Sequence, residues 1–225
     1  MNIVKSYDFF QPEKLRDRIH IIGCGAIGST VAENLTRFGI TKITLYDFDT
    51  VESHNIANQL YTEADIGKYK VEALAEHLKA INPELNNAGT LKIVKEGYIG
   101  QRLSGYVILA VDSIELRKKI VTDNKYNLNI KAMFDYRMRL TDAQHYAADW
   151  SKPADIANFF EGMNFTSEEA QAETPVSACN LSLSVCPTVR MICAAGVANF
   201  INFVKSGELK SIILIDAFNF TIDAA

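Results

Sequence analysis

Short apolar runs alternate with longer stretches of helical spacing along most of the chain. The run "RIHIIG" at 18–23 predicts a strand, and the apolar positions of "AIGSTVAENLTRFG" at 26–39 recur on one face of a helix. A second strand, "KITLY" at 42–46, is followed after a polar loop by a helix pattern at 65–83, which ends where a proline follows an asparagine. The pattern therefore predicts two consecutive strand–helix units.

The same alternation continues through the middle of the chain. Strands are predicted at "LKIVKEG", 91–97, and at "YVILAV", 106–111, whose uninterrupted apolar character is typical of a strand buried on both faces of a parallel sheet. A helix pattern at 113–127 follows. The runs at 130–138 and 140–150 predict extended sheet and are compatible with a change of strand direction.

The C-terminal part departs from this alternation. Residues 151–180 are polar, acidic and interrupted, which predicts one short helix and a long loop of the kind that carries function. Pro187 suits the first turn of a helix that Gly207 ends, and residues 210–222 predict one or two closing strands. We therefore expect one α/β domain over residues 1–225, with a Rossmann-like, mostly parallel sheet, helices on both faces and mixed-direction strands in the C-terminal part.

The composition is that of an ordinary globular protein. Of the 225 residues, 48% are hydrophobic and 22% are charged. A formal net charge of -4 and the lack of a dense Lys/Arg block argue against a nucleic-acid partner. The N-terminal residues lack the pattern of a secretory signal, and we find no run of about 18 uninterrupted apolar residues, so we expect no membrane association and a cytoplasmic location.

The four cysteines, Cys24, Cys179, Cys186 and Cys193, form no CxxC pair. This spacing predicts neither a disulfide framework nor a zinc site, and a reducing cytosol would keep the thiols free. Cys24 lies inside a glycine-rich turn and Cys193 within a helix pattern, so we interpret both as packing residues.

The glycine-rich segment "GCGAIG" at 23–28 joins the first strand to the first helix. Gly23 would permit a tight turn, Gly25 would let the backbone approach a phosphate, and Gly28 would let the helix pack closely on the strand. Asp47 follows the next strand about 20 residues after the last glycine, where a carboxylate can accept hydrogen bonds from ribose hydroxyls. These features predict a bound nucleotide, although a tight turn that binds nothing has the same glycines, and the pair does not say which nucleotide binds.

Three further segments narrow the interpretation: "DFDTVESHNIANQ" at 47–59, "DIGKYK" at 65–70 and "AVDS" at 110–113. With the glycine turn, in this order and spacing, the chain resembles the ThiF/MoeB/HesA family, the prokaryotic relatives of ubiquitin-activating enzymes. The resemblance runs from about residue 18 to about 120 and continues more loosely to the C-terminus. It implies an adenylyltransferase that binds ATP and Mg²⁺ and acts, as a homodimer, on a small ubiquitin-like or sulfur-carrier protein, or a peptide, with a free C-terminal glycine.

The resemblance also implies roles for individual residues. Lys70 would contact the phosphates, Asp112 would hold Mg²⁺, and Asp47 would bind the ribose. Taken alone, Lys70 would be a solvated lysine and Asp112 could equally be the N-cap of the following helix. The implied nucleotide-binding positions are Gly23, Gly25, Gly28, Asp47, Asp49, Asn55, Asn58, Gln59, Lys70, Asp112 and Ser113.

The chain departs from the family at one catalytic position. The family commonly has Asn-Arg-Gln where this chain has Ala57-Asn58-Gln59, so Asn58 stands in the place of a catalytic arginine and brings no charge to the leaving pyrophosphate. Four other arginines are candidates to supply that charge, the first of them from a partner subunit: Arg16, Arg18, Arg117 and Arg137. Some relatives also carry a cysteine that forms a thioester, and Cys179, in a polar loop before a helix, is the candidate here.

Two other functions remain open from the sequence. A binding module that kept the nucleotide pocket but lost turnover is compatible with Asn58 in place of arginine. An NAD-dependent oxidoreductase would explain the glycine turn and Asp47, but it leaves Lys70 and Asp112 without a role.

Overall fold

An eight-stranded sheet forms the centre of the computed structural model, which describes residues 1–173, 175–176 and 183–225. The strand order is β3-β2-β1-β4-β5-β6-β7-β8. The strands are β1 Ile19–Ile22, β2 Ile43–Tyr46, β3 Lys92–Val94, β4 Gly105–Leu109, β5 Ile130–Met138, β6 Asp142–Asp149, β7 Ile212–Asp216 and β8 Thr221–Ala224.

Strand pairing changes from parallel to antiparallel after β5. The five strands from β1 to β5 are parallel, whereas β6, β7 and β8 each pair antiparallel with the strand before them. The turn between β5 and β6 is tight, and the Arg139 backbone N–H donates to the Asp142 carbonyl at 2.8 Å. The predicted mostly parallel sheet with mixed-direction strands at its C-terminal side is confirmed.

Seven α-helices lie within the described residues. They are α1 Val4–Tyr7, α2 Ala26–Arg37, α3 Lys70–Ile81, α4 Ile114–Asn124, α5 Pro153–Glu161, α6 Ser167–Glu173 and α7 Cys186–Ser206. The helices pack on both faces of the sheet. One buried cluster joins β1 and β2 to α2, α3 and α7, and the other joins the opposite face of β1, β4 and β5 to α4 and α5.

Two sequence predictions of helices are wrong. The single short helix predicted within 151–180 is two helices, because Thr166 and Glu169 cap the start of α6 reciprocally, with N···O distances of 2.7 and 3.1 Å. Helix α3 starts at Lys70 rather than at residue 65, because Gly67 has a φ of +87° and the backbone of 67–70 pairs with another loop.

Helix α7 is the longest helix, with 21 residues. By length and composition alone it could cross a membrane, but half of that stretch is buried inside this fold, as in the core helix of a globular domain. Gly196 allows its close approach to the sheet, because a Cβ there would lie 2.3 Å from the Tyr136 ring. Gly207, with a φ of +77°, ends the helix, as predicted from the sequence.

The strand order defines one edge where a ligand can lie. Strands β2 and β4 flank β1, and the chain leaves β1 toward β2 on one side while β4 lies on the other side. In open sheets of parallel strands, ligands bind at this change of direction, beyond the carboxyl ends of the strands. The glycine turn follows β1, Asp47 follows β2, and Asp112 comes shortly after β4.

Candidate nucleotide site

Two of the three glycines in the turn, Gly23 and Gly28, are required by close packing of the backbone. Gly23 has a φ of +95°, donates its N–H to the Tyr46 carbonyl at 2.9 Å, and would place a Cβ 2.5 Å from the Ala110 carbonyl oxygen. A Cβ on Gly28 would lie 1.8 Å from the Gly23 carbonyl oxygen. Both glycines are therefore needed for the strand–turn–helix geometry itself.

Gly25 differs from its two neighbours in the turn. It is the N-cap of α2, and a Cβ at this position would meet no atom of the described residues within 4 Å. Packing therefore does not require this glycine. The first turn of a helix has unpaired backbone N–H groups, and an open surface beside them fits the close approach of an anion such as phosphate.

Asp47 is held by the backbone at the end of β2. Its Oδ2 accepts a hydrogen bond from the Cys24 N–H at 2.6 Å, and its Oδ1 accepts one from the Asp49 N–H at 2.9 Å. Burial raises the pKa of this carboxyl, and the two backbone hydrogen bonds and the charge of Lys70 oppose that rise. Each carboxylate oxygen has a further lone pair, so Asp47 keeps the capacity to accept hydrogen bonds from hydroxyl groups.

Lys70 and Asp49 form an ion pair beside the turn. The Lys70 ammonium lies 2.7 Å from Asp49 Oδ2, and the lysine side chain is only 9% exposed, whereas the Asp49 side chain is 49% exposed. A short antiparallel ladder sets this pairing: the Lys70 N–H donates to the Asp49 carbonyl at 2.9 Å, and Thr50 and Tyr69 form a bridge. Lys70 is thus a buried lysine whose head reaches the polar loop after β2, rather than a solvated lysine on an open helix face.

Tyr61 links the glycine turn to the start of α3, and the sequence predictions missed it. Its hydroxyl donates to the Cys24 carbonyl at 2.6 Å and lies 3.3 Å from the Lys70 carbonyl. Burial raises the pKa of the Tyr61 phenol, so the hydroxyl remains a donor at neutral pH. A lone tyrosine between a polar loop and a helix pattern carries no sequence signal for such a bridge.

The three amide side chains after Asp49 have different surroundings. Asn55 is buried and caps a short turn, since its Oδ1 accepts from the Glu52 N–H at 2.9 Å. Asn58 donates from Nδ2 to the Ser184 hydroxyl, just before α7. Gln59 Oε1 is buried and has no hydrogen-bond partner among the described residues, so it is an acceptor that a ligand could satisfy.

Asp112 lies on the loop after β4. Ser113 is the N-cap of α4, because its hydroxyl accepts from the Leu116 N–H at 3.0 Å, so the interpretation of Asp112 as the N-cap is wrong. Asp112 is exposed and forms no ion pair or hydrogen bond with the described part of the chain. No group of three or more His, Cys, Asp or Glu side chains there is placed to hold a metal ion. Mg²⁺ commonly uses one or two carboxylates together with phosphate and water oxygens, and a single free carboxylate fits that donor set.

Three of the four candidate arginines have other partners. Arg117 and Arg137 both bind Asp135, the latter at 2.7 Å, and Arg117 Nε also donates to the Val111 carbonyl at 2.8 Å. Arg18 donates to backbone carbonyls near the amino end of β1 and β2, including that of Thr90 at 2.9 Å. Arg16, just upstream of β1, is exposed.

The cysteines separate by burial. Cys24 and Cys193 are fully buried, as expected of packing residues, and Cys186 is partly exposed at the start of α7. Burial raises the pKa of the Cys24 thiol, which keeps it protonated and unreactive. Cys179, the candidate for thioester formation, lies outside the described residues.

Comparisons with known proteins relate the chain to one family. A model of the ThiF family matches residues 8–207. The ubiquitin-like modifier-activating enzyme 5 of Drosophila persimilis is 36% identical over 135 residues, which are 53% of this chain and 34% of that protein. The protein of the same name from Drosophila grimshawi is 44% identical over 86 residues, which are 38% of this chain and 20% of that protein. The matched part is about a third of the length of these relatives, or less.

Solved structures share the fold over nearly the whole chain. MccB from E. coli, crystallised with ATP, superposes with a TM-score of 0.71 at 19% identity, covering 95% of this chain and 65% of that chain. Selenomethionine PaaA superposes with a TM-score of 0.68 at 17% identity, covering 99% of this chain and 68% of that chain. At such identities the likeness establishes the fold alone.

Proposed function

Because this chain belongs to the ThiF family, we propose that it is an adenylyltransferase that uses ATP and Mg²⁺ to activate the C-terminal carboxylate of a small protein or peptide. The observation that carries the proposal is the buried Lys70 ammonium beside the glycine turn. Tyr61 holds the Lys70 and Cys24 carbonyls together, and Asp47 accepts its hydrogen bond from Cys24 within the same turn. A nucleotide-binding turn with a lysine built into its rim suits a ligand with several phosphates.

The chemistry needs positive charge more than it needs a base. ATP would supply the AMP group, and Mg²⁺ would neutralise phosphate charge. A C-terminal carboxylate is already ionised at neutral pH, so the protein has no proton to remove from it. The protein must instead hold two anions together, and Lys70 would contribute charge for this.

The remaining residues would orient the nucleotide. The surface at Gly25 is open to the phosphates at the N-terminus of α2, and Asp47 would accept hydrogen bonds from the ribose hydroxyls. Gln59 has an unsatisfied acceptor in the same loop, and Asp112 would hold the metal. These assignments use groups whose hydrogen-bonding capacity is not exhausted within the described residues.

The acceptor follows from the family and the names of its members. One group of relatives is named for activating ubiquitin-like modifiers, and MccB has been crystallised with MccA. We propose an acceptor of the same chemistry, a small ubiquitin-like or sulfur-carrier protein, or a peptide, with a free C-terminal glycine. A homodimer, a single domain over residues 1–225 and a cytoplasmic location complete the proposal.

A second candidate function is a nucleotide-binding module of the same fold with weak turnover. It is favoured by Asn58, whose uncharged amide is bound to Ser184 in the place of the family's catalytic arginine. The NAD-dependent oxidoreductase keeps the glycine turn and Asp47 but still gives no role to Lys70 or Asp112.

Thermal unfolding with added nucleotides separates these functions. We expect ATP with Mg²⁺ to raise the melting temperature and NAD to leave it unchanged, because only ATP has the terminal triphosphate that Lys70 and the metal ion would contact. Stabilisation by NAD but not by ATP would contradict the proposal and favour the oxidoreductase.

Pyrophosphate release then tests turnover. Small ubiquitin-like proteins and peptides that end in glycine are compared with the same molecules carrying a C-terminal amide. We expect release with at least one free carboxylate and none with its amide, because the amide removes the nucleophile. ATP binding without release across the whole set would support the module with weak turnover instead.

The role of Cys179 stays a prediction. If it accepts the activated acyl group, Cys179→Ser should leave pyrophosphate release in the first turnover unchanged and abolish the covalent protein–acceptor adduct. A loss of the first step in this variant would count against the thioester role, and Cys186→Ser is the matched control.

A further inference from the structure

A row of polar side chains crosses one face of the sheet, where parallel strands normally carry apolar residues. Because His20 pairs with Thr44 and Thr44 pairs with Lys92 in the strand register, the three side chains lie side by side on β1, β2 and β3. The next row on the same face is Ile22, Tyr46 and Val94. The polar row therefore interrupts the apolar face at a single level.

Within the described residues, no helix covers this row. The chain between β3 and β4, residues 95–104, is a loop, and α4 and α5 pack farther across the sheet, on β4 to β6. A cavity of about 600 Å³ lies above the row, with His20, Thr44 and Tyr46 among its lining residues. The cavity therefore lies where a crossover helix would otherwise pack on the sheet.

The cavity has a marked excess of positive charge. Arg18, Lys92 and Arg102 line it, and no Asp or Glu is among the described residues around it. This excess stands out in a chain with a formal net charge of -4. Lys92 and Arg102 are exposed and form no ion pair with a described residue, while Arg18 is fixed by the carbonyls of Gly89, at 2.6 Å, and Thr90.

His20 is a buried residue that lines this cavity. The residue is only 4% exposed, and its Nε2 has no hydrogen-bond partner among the described residues. Its Nδ1 lies 2.8 Å from the Tyr46 hydroxyl. Burial, followed by the charges of Arg18 and Lys92, lowers the pKa of His20 to about 4, with a backbone group of Ser104 acting in the opposite direction.

The proton positions follow from these groups. The ring is neutral at pH 7, and burial raises the pKa of Tyr46 to about 12, so the phenol keeps its proton. If the phenol donates to Nδ1, the ring proton is on Nε2. Three cations converge on one cavity whose described lining residues include no acid, and an anion bound there would offset the repulsion between them.

We propose that this cavity binds the phosphate group of a small molecule, with Lys92 and Arg102 at its rim and the His20 ring at its floor. A tetrahedral phosphate presents oxygens in several directions, which suits cationic donors that approach from different sides of the cavity. The site is distinct from the glycine turn, because it lies over a face of the sheet and the turn lies beyond the carboxyl end of β1. It does not depend on the adenylation proposed above.

Histidine ring NMR locates the ligand directly. The chain has four histidines, and ¹⁵N-labelled rings are followed at pH 7 during titration with inorganic phosphate and, at matched ionic strength, with acetate. We expect saturable shifts of the His20 signals with phosphate and much smaller ones with acetate. Equal shifts at His54 and His77, no shift at His20, or an equal response to acetate would overturn the proposal.

Charge reversal provides the matched comparison. K92E/R102E should weaken phosphate binding at His20 by about tenfold or more, whereas K14E/K79E, which changes the net charge equally at exposed positions elsewhere, should not. A Lys70→Ala protein should keep the His20 response, which separates this site from the glycine turn. An unchanged phosphate response in K92E/R102E would contradict the proposal. A dimer that K92E/R102E disrupts, in a protein that shows no phosphate response, would also contradict it and would favour an acidic segment of a second copy as the occupant.

Discussion

Two aspartates are buried near the carboxyl ends of the parallel strands, and they are stabilised in different ways. Asp47 accepts two hydrogen bonds from backbone N–H groups, and its nearest cation, Lys70, is paired with another acid. Asp135, on β5, is fully buried between Arg117 and Arg137. One carboxylate is oriented by the backbone and keeps capacity for a ligand, and the other has its charge neutralised by side chains.

The difference in partners indicates that Asp47 is the carboxylate available to a ligand and that Asp135 supports the surrounding structure. Arg117 also donates to the carbonyl of Val111, the residue before Asp112, so the Asp135 cluster braces the loop that carries Asp112. Asp47 lies at the glycine turn itself. Burial alone does not distinguish the two roles, whereas the kind of partner does: neutral backbone donors orient a carboxylate and leave its charge in place, and two arginines neutralise that charge.

The largest expected effect follows from removing the carboxylate of Asp135. Asp135→Ala would leave the buried Arg117 without its counter-charge, and we expect a loss of about 3–5 kcal/mol of unfolding free energy, measured by urea denaturation. Asp123→Ala, which removes an exposed pair with Lys119, is the control and should change stability little. If Asp135→Ala were as stable as the control, the comparison between the two aspartates would fail.

Replacing the exposed Asp112 should reduce activity and leave stability unchanged, in contrast to the loss of stability expected for Asp135→Ala. We expect Asp112→Ala to reduce Mg²⁺-dependent pyrophosphate release by about 100-fold or more, since it removes the proposed metal ligand, and to leave thermal unfolding unchanged. The same Asp123→Ala protein is the control for activity. Full turnover in Asp112→Ala would refute the assignment of this residue to the metal.

Lys70 should contribute more to the binding of the phosphate groups than to the binding of the nucleoside. Lys70→Ala should weaken ATP binding by about tenfold and AMP binding less, because its charge would face phosphate groups that AMP lacks; calorimetric titration of both nucleotides tests this. Lys79→Ala, on the exposed side of α3, is the matched control. Equal losses for ATP and AMP would place Lys70 elsewhere in the site.

The smallest effect concerns the pH dependence of stability at Asp47. Its pKa is raised by burial, so the folded state favours the protonated carboxyl, and this contribution is present below the unfolded pKa of about 3.9 and is lost as pH rises through the higher folded value. The unfolding free energy of the wild type, relative to Asp47→Asn, should therefore decline as pH rises above about 4. A difference that grows with pH would show that the backbone hydrogen bonds outweigh burial.

Local patterns were sufficient for most of the fold. Strand β1, helix α2 and strand β2 follow from apolar runs and glycine positions, and the β5–β6 hairpin follows from two adjacent extended runs. The predicted start of α3 was wrong because backbone pairing between residues 49–51 and residues 67–70 overrides the helical spacing. The second helix in 151–180 had a local signal, the capping pair Thr166 and Glu169, within an acidic stretch that resembled a loop.

The candidate site divides in the same way. The packing roles of Gly23 and Gly28 and the position of Asp47 follow from spacing within one strand–turn–helix unit, and the structure agrees with these expectations. The pairing of Lys70 with Asp49 was not predicted, and neither was the bridge made by Tyr61. No pattern in the sequence joins those residues, since they meet only when two loops pair.

By itself the sequence determined the α/β alternation, the parallel run of strands and the glycine turn with its acid, because these depend on residue periodicity and on backbone freedom at single positions. Only the tertiary structure decided which charges neutralise one another, that Arg117 and Arg137 bind Asp135, and that the polar row at His20 lines a cavity. Charge pairing and burial depend on distances between side chains, and those distances exist only after strands far apart in sequence have taken their register.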